Sequence, residues 1–200
     1  NNINFGPKEE VSSGTTLANC ATGCTYTITH DGSAMEAGWG TTSESSTTIS
    51  FTDATARSGE NTYTFTVTNG DGGTTSGGSA SCEFTVDYKK PSYSCPDAIT
   101  AEPGTQVTVT PTNVSYCSGG CSYKITGTDI DDIEGENFTS GSLANKIVDT
   151  SDPITGTAVT GGIAKNYSLT LSNAAGSGTA CDVTVNYMKP TVVCPDGMEK

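Results

Sequence analysis

The chain has 200 residues, with nine Lys and Arg against 22 Asp and Glu, a net charge of −13 and a pI near 4.2. So few cations provide no basic face for phosphates, which excludes a nucleic-acid partner, and an anionic membrane surface repels the chain. No apolar run reaches the ~18 residues of a membrane helix, and eight Cys beside a single His point to disulfides in an oxidising, extracellular setting rather than to zinc.

Helix formers never cluster at helical spacing, whereas Thr and other β-branched residues alternate with apolar ones. That alternation is a strand signature. In chain order, GTTLAN (14–19) and TYTIT (25–29) read as strands, and Asp31-Gly32 as the turn after the second. TTISF (47–51) follows. TYTFTVTN (62–69) places Tyr63, Phe65 and Val67 on one face, with Thr between them toward water. NGDGG (69–73) is a turn, and Phe84, Val86 and Tyr88 line the inner face of the next strand. Lys89, Lys90 and Pro91 end it.

The pattern then repeats. CATGCTYTIT at Cys20 and Cys24 returns as CSGGCSYKIT at Cys117 and Cys121, and CEFTVDYKKP at Cys82 returns as CDVTVNYMKP at Cys181. Cys95 and Cys194 each open a CPD, and YTFTVTN (63–69) matches YSLTLSN (167–173). The pieces keep one order, so the chain is a duplicated module of roughly 100 residues. The second copy has strands at QVTVTP (106–111), SYKIT (122–126), YSLTLSN and DVTVNY (182–187). The expected fold class is all-β, two tandem β-sandwiches over 1–92 and 93–200. The terminal CPDGMEK (194–200) reads as the start of a further repeat or a stub, and Asn1 as the start of a fragment.

The GENTYTFTVTNGDG stretch from Gly59 to Gly72 resembles the penultimate strand of bacterial immunoglobulin-like and PKD-type modules. CPDAITAEPGTQVTVTP (95–111) is similar to the opening of HYR-type immunoglobulin-like modules. The resemblance implies two immunoglobulin-like sandwiches of a secreted or cell-surface protein, with Tyr63 and Tyr167 at the tyrosine corner. The core Trp usual on the third strand is absent, and Tyr26 or Tyr123 stands there. The resemblance also implies that one Cys of each close pair bridges to Cys82 or Cys181, and that Cys95 reaches Cys117 or Cys121. The rival scheme pairs within the windows 20, 24, 82, 95 and 117, 121, 181, 194.

Nothing converges on catalysis. His30 reads as a surface turn residue, no GxSxG elbow occurs, and no carboxylate pair is positioned alike in both modules. In DIDDIEGEN (129–137), Asp129, Asp131, Asp132, Glu134 and Glu136 are closely spaced hard oxygen donors that suit Ca²⁺, the one cofactor considered; the plainer reading is a solvated acidic loop. For glycan stacking the candidates are Trp39, its counterpart Phe138 at an offset of 99, Tyr93 and Tyr116. Against this, Trp39 caps the edge of its own sheet. The expected role is a non-catalytic, monomeric spacer or adhesion segment that meets a polysaccharide or another surface protein, with plant-polysaccharide binding through Trp39 as the alternative.

Overall fold

The computed structural model describes residues 3–16, 18, 20, 23–39, 46–69, 78–128, 130–148 and 163–188. The strands among these residues are β1 (Ile3–Phe5), β2 (Glu10–Thr16), β3 (Cys24–His30), β4 (Ser33–Trp39), β5 (Ser46–Thr52), β6 (Gly59–Asn69), β7 (Ser79–Tyr88), β8 (Ser92–Ser94), β9 (Ile99–Ala101), β10 (Gln106–Val107), β11 (Thr112–Ser115), β12 (Cys121–Gly127), β13 (Ile130–Phe138), β14 (Ile147–Val148), β15 (Ile163–Asn173), β16 (Gly176–Ser177) and β17 (Cys181–Tyr187). No helix occurs among the described residues. The chain forms two compact units. The first is Asn1–Pro91 with Ser115–Cys121 and Ser172–Ser177, and the second comprises Ser92–Val114, Ser122–Leu171 and Gly178–Lys200.

In unit 1, one sheet has the order β1-β7-β6-β3-β4 and the other pairs β2 with β5. Period-2 alternation decides what lies between them. Val11, Ile49 and Phe51 from the two-stranded sheet meet Ile28, Tyr63, Phe65 and Val86 from the five-stranded one in a single core. Phe51 packs across that core on Tyr63 and Phe84, with centroids 5.0 and 5.9 Å away. The turn between β3 and β4 is the expected Asp31-Gly32 pair, both residues at positive φ, which matches hairpin twist. Two facing sheets connected in this order make an immunoglobulin-like sandwich.

In unit 2 the main sheet has the order β13-β12-β15-β17-β9, and the smaller sheets pair β10 with β14 and β8 with β11. Val107, Val109 and Ile147 are fully buried, as are Ile125, Leu169, Leu171, Val183 and Val185 on the main sheet.

Several sequence expectations need correction. The strand expected at 14–19 is β2, which starts at Glu10, because Val11 is the side chain that enters the core. QVTVTP keeps only two residues of ladder, although Val109 is also buried. The acidic segment is strand β13 and not a loop: Gly135 lets it pass against the ring of Tyr123, where an added Cβ would lie 2.3 Å from the ring. His30 is not a surface residue, since it is 9 % exposed and packs on Tyr63 at 5.0 Å between centroids. The NGDGG turn beyond Asn69, and the 194–200 segment, lie outside the described residues.

Candidate functional site

The feature that joins the ends of unit 2 is a disulfide between Cys95 and Cys181, 86 residues apart in sequence. β9 lies parallel to β17, with Ile99 opposite Val185 and Ala101 opposite Tyr187. Cys95 stands four residues ahead of Ile99 and Cys181 four ahead of Val185. The sulfur bridge therefore extends the same register backward, with a Cα–Cα separation of 5.8 Å, inside the range a disulfide spans. One residue beyond the ladder, the Met188 amide donates to the Ala101 carbonyl at 3.0 Å. The chain thus enters the sandwich beside Cys181 and leaves it at the opposite end of β17.

Unit 1 repeats this arrangement without the bridge. β1 lies parallel to β7, with Ile3 opposite Val86 and Phe5 opposite Tyr88, and the Lys89 amide donates to the Phe5 carbonyl at 2.8 Å. Cys82 is exposed and free.

The remaining disulfides are local. Cys20 pairs with Cys24 and Cys117 with Cys121, each over a separation of four. The first expected pairing scheme is overturned, and the within-window scheme holds for the two close pairs but not for Cys95 and Cys181. The first fails because the CxxxC cysteines close on each other, helped by Gly23 and Gly120 at positive φ, whose amides donate to the Cys20 and Cys117 carbonyls. The second breaks down at the long bridge, because Cys95 belongs with Cys181 of the later module, and Cys82 takes no partner among the described residues. Cys194 lies outside them.

A buried polar cluster supports the far end of unit 1. Asp53, fully buried, follows β5; it accepts from the Thr55 amide at 2.9 Å, from the Tyr63 hydroxyl at 2.8 Å and from the Arg57 guanidinium. Tyr63 gives its single proton to Asp53, so Tyr88, 2.7 Å away, donates to Tyr63. Burial pushes the Asp53 carboxyl up, but the bonds from Arg57, Thr55 and Tyr63 outweigh it and hold the group below its usual range. Burial drives the Tyr63 hydroxyl well above its ordinary value, so it stays a proton donor. In unit 2 the corresponding hydroxyls of Tyr167 and Tyr187 lie 3.4 Å apart. The sequence reading placed a tyrosine corner at Tyr63 but missed Asp53 and Arg57. The available signal was an acid four residues ahead of a base just after an apolar strand.

The four glycan candidates sit on separate elements. Phe138 is not an exposed platform: it is 6 % exposed and packs edge-on to Tyr123, 6.4 Å between centroids, because the inward face of β13 ends on it. Tyr93 is half-buried, and its hydroxyl donates to the Leu169 carbonyl and accepts from the Leu171 amide, both at 3.1 Å. Tyr116 is half-buried at a left-handed φ of 64°. Trp39 ends β4 opposite Thr25, and its side chain lies outside the described residues. Among the acids, Asp131, Asp132, Glu134 and Glu136 are strung along β13, and Asp129 lies outside the described residues. Lys124 on β12 pairs with Asp132 at 2.6 Å and with Glu134 at 3.1 Å, so a cation already sits among them. No group of three or more His, Cys, Asp or Glu converges to hold a metal among the described residues. His30 Nδ1 lies 3.1 Å from Asp31, whose carboxylate is exposed.

The chain matches no family model and no curated protein. Solved structures similar to it include fibronectin(III)-like modules of Clostridium thermocellum CbhA, at 12 % identity and a TM-score of 0.33, covering 94 % of this chain and 90 % of that one. The amphioxus IgVJ-C2 molecule is similar at 12 % and 0.33, over 92 % and 99 % of the two chains. A chimeric titin Z1Z2-Z1Z2 tandem is similar at 15 % and 0.32, over 95 % of each.

Proposed function

We propose that this chain is a non-catalytic, extracellular spacer segment whose folded units carry tension along the polypeptide. The observation behind this reading is the Cys95–Cys181 bridge, set four residues ahead of the parallel pairing of β9 with β17. Tension arriving at Ser94 crosses the sulfurs to Cys181 and leaves along β17, so residues 96 to 180 stand off the load path. Without a bridge, parallel end strands pulled from opposite ends are loaded in shear across their ladder hydrogen bonds, as β1 and β7 are. Three disulfides also suit the oxidising compartment such a segment occupies.

Pulling single molecules from their two ends tests this. The oxidised chain is expected to release no length from between Cys95 and Cys181. Reduction is expected to add a second lengthening of about 290 Å, at ~3.4 Å for each of the 86 residues spanned. Equal lengthening before and after reduction would remove the reading.

Plant-polysaccharide binding through Trp39 is the competing role. With Phe138 in the core and the Tyr93 hydroxyl engaged by backbone, little aromatic surface remains to assist Trp39. The protein is therefore expected to stay in solution over soluble and insoluble plant polysaccharides, with or without Ca²⁺. Depletion from solution that disappears in Trp39→Ala would transfer the function to carbohydrate binding, and retention that needs Ca²⁺ would direct attention to β13.

A further inference from the structure

Three Asn-x-Ser/Thr tripeptides lie in the second repeat: Asn113-Val114-Ser115, Asn137-Phe138-Thr139 and Asn166-Tyr167-Ser168. Residues 1–92 contain none. The tripeptide is the acceptor pattern for N-linked oligosaccharide in exported chains. In a chain this rich in Ser and Thr the pattern alone does not distinguish the three, and the backbone does.

All three asparagines are exposed, but they are held differently. Asn166 lies inside β15, which has β12 on one flank and β17 on the other. It stands opposite Thr184, whose hydroxyl donates to its side-chain oxygen at 2.9 Å. Asn113 has a left-handed φ of 52° within β11, and its amide donates to the Ser94 hydroxyl at 3.3 Å. Asn137 has a left-handed φ of 58° at the next-to-last residue of β13. Asn is among the few residues with a side chain that accept this conformation readily. It bends the extended path just where the strand ends. Phe138 is buried against Tyr123 and fixes the backbone there, and Thr139 beyond the strand is exposed. The acceptor amide and the hydroxyl-bearing residue two positions on are therefore both open to solvent, on either side of an anchored ring.

The place in the sheet is a second argument. β13 is the outermost strand of its sheet, with β12 as its one ladder neighbour among the described residues. An open edge is a template for pairing with another chain, and proteins blunt such edges with charge or by covering them. Asp131, Asp132, Glu134 and Glu136 supply charge along β13. A hydrated oligosaccharide on Asn137 adds bulk at its end.

We propose that Asn137 is an N-glycosylation acceptor that takes an oligosaccharide from a polyprenyl pyrophosphate donor. The proposal rests on the extracellular part of the reading above, since donor and transferase meet chains during export. In the transfer, Asn137 Nδ2 attacks the anomeric carbon of the lipid-linked sugar. A carbon–nitrogen bond forms and the bond from that carbon to the pyrophosphate oxygen breaks. The lipid pyrophosphate leaves with the electron pair, the amide loses one proton, and nothing is oxidised or reduced.

The test uses the folded, oxidised 200-residue chain, produced without glycosylation and incubated with an oligosaccharyltransferase and a polyprenyl-pyrophosphate-linked oligosaccharide. Enzymatic release of the glycan in heavy-oxygen water leaves a mass-labelled aspartate at each occupied site, read by peptide mass spectrometry. Occupancy is expected to be highest at Asn137, lower at Asn113 and lowest at Asn166. Thr139→Ala, which keeps the left-handed Asn in place, is expected to abolish the label at Asn137, and Thr139→Ser to restore it. Thr139 is exposed, so neither variant disturbs the core. An unmodified Asn137, or an Asn166 occupied as fully as Asn137, overturns the proposal. The load path is read separately by pulling, so either result can fail without the other.

Discussion

Replacing Cys95 and Cys181 together with Ser is expected to lower the stability of unit 2 by about 4 kcal/mol, a fall in melting midpoint of roughly 15 °C or more. The bridge spans 86 residues, and cross-linking removes more chain entropy from the unfolded state as the closed loop lengthens. Cys117 and Cys121 close a loop of only four, so their Ser variants are expected to lose about 2 kcal/mol or less by the same relation. The contrast carries the test, because the two bridges differ more than twentyfold in the sequence separation they span. Thermal melts of the two double-Ser proteins decide it; equal losses would mean that the long bridge adds no constraint. β9 holds only three paired residues on β17, so its release from the sheet is the structural event to expect.

Replacing Asp53 with Ala is expected to destabilise unit 1 by about 3–5 kcal/mol, the usual consequence of removing one member of a buried, hydrogen-bonded ion pair. Three donors lose their acceptor at once: the Arg57 guanidinium, the Tyr63 hydroxyl and the Thr55 amide. Asp53 is completely buried, so water does not reach the gap without opening the end of the sandwich. Denaturant unfolding followed by the tyrosine-rich core reads the loss, and a change below about 1 kcal/mol would show that the cluster adds no stability. The pH dependence has a definite sign. The folded Asp53 carboxyl titrates below the 3.8 of the unfolded chain, so its contribution is fully present above about pH 4 and fades as pH falls through the lower folded value. Asp53→Asn is expected to flatten that acid limb, because a neutral amide binds no proton in either state.

Features governed by near neighbours were legible in the sequence. Alternation located β3, β5, β6, β7, β12, β15 and β17, because each side chain's choice between core and water is written in period 2 along its own strand. Asp31-Gly32 announced its hairpin because both residues tolerate the positive φ the turn demands. β4 and β13 were missed. Glu36 and Gly38 dilute the first, and the acids of 131–136 read as solvent, although that edge strand keeps only Phe138 fully inside. The candidate site was less legible. The repeats of CxxxC, of CPD and of the strands that open at Cys82 and Cys181 marked every cysteine but not the pairs they form, and His30 looked exposed because a turn follows it, whereas Tyr63 from a distant strand covers its ring.

By itself, the sequence determined the all-β class, the repeated cysteine and strand pattern and the inner faces of most strands, since composition and short-range periodicity carry all three. Only the tertiary structure decided that Cys95 joins Cys181, that Cys82 stands open and that Asp53 is locked beneath Tyr63. Those outcomes depend on which distant strands become neighbours. The parallel register of a first strand on a last one sets residues 86 positions apart side by side, and no local pattern encodes a register over that span.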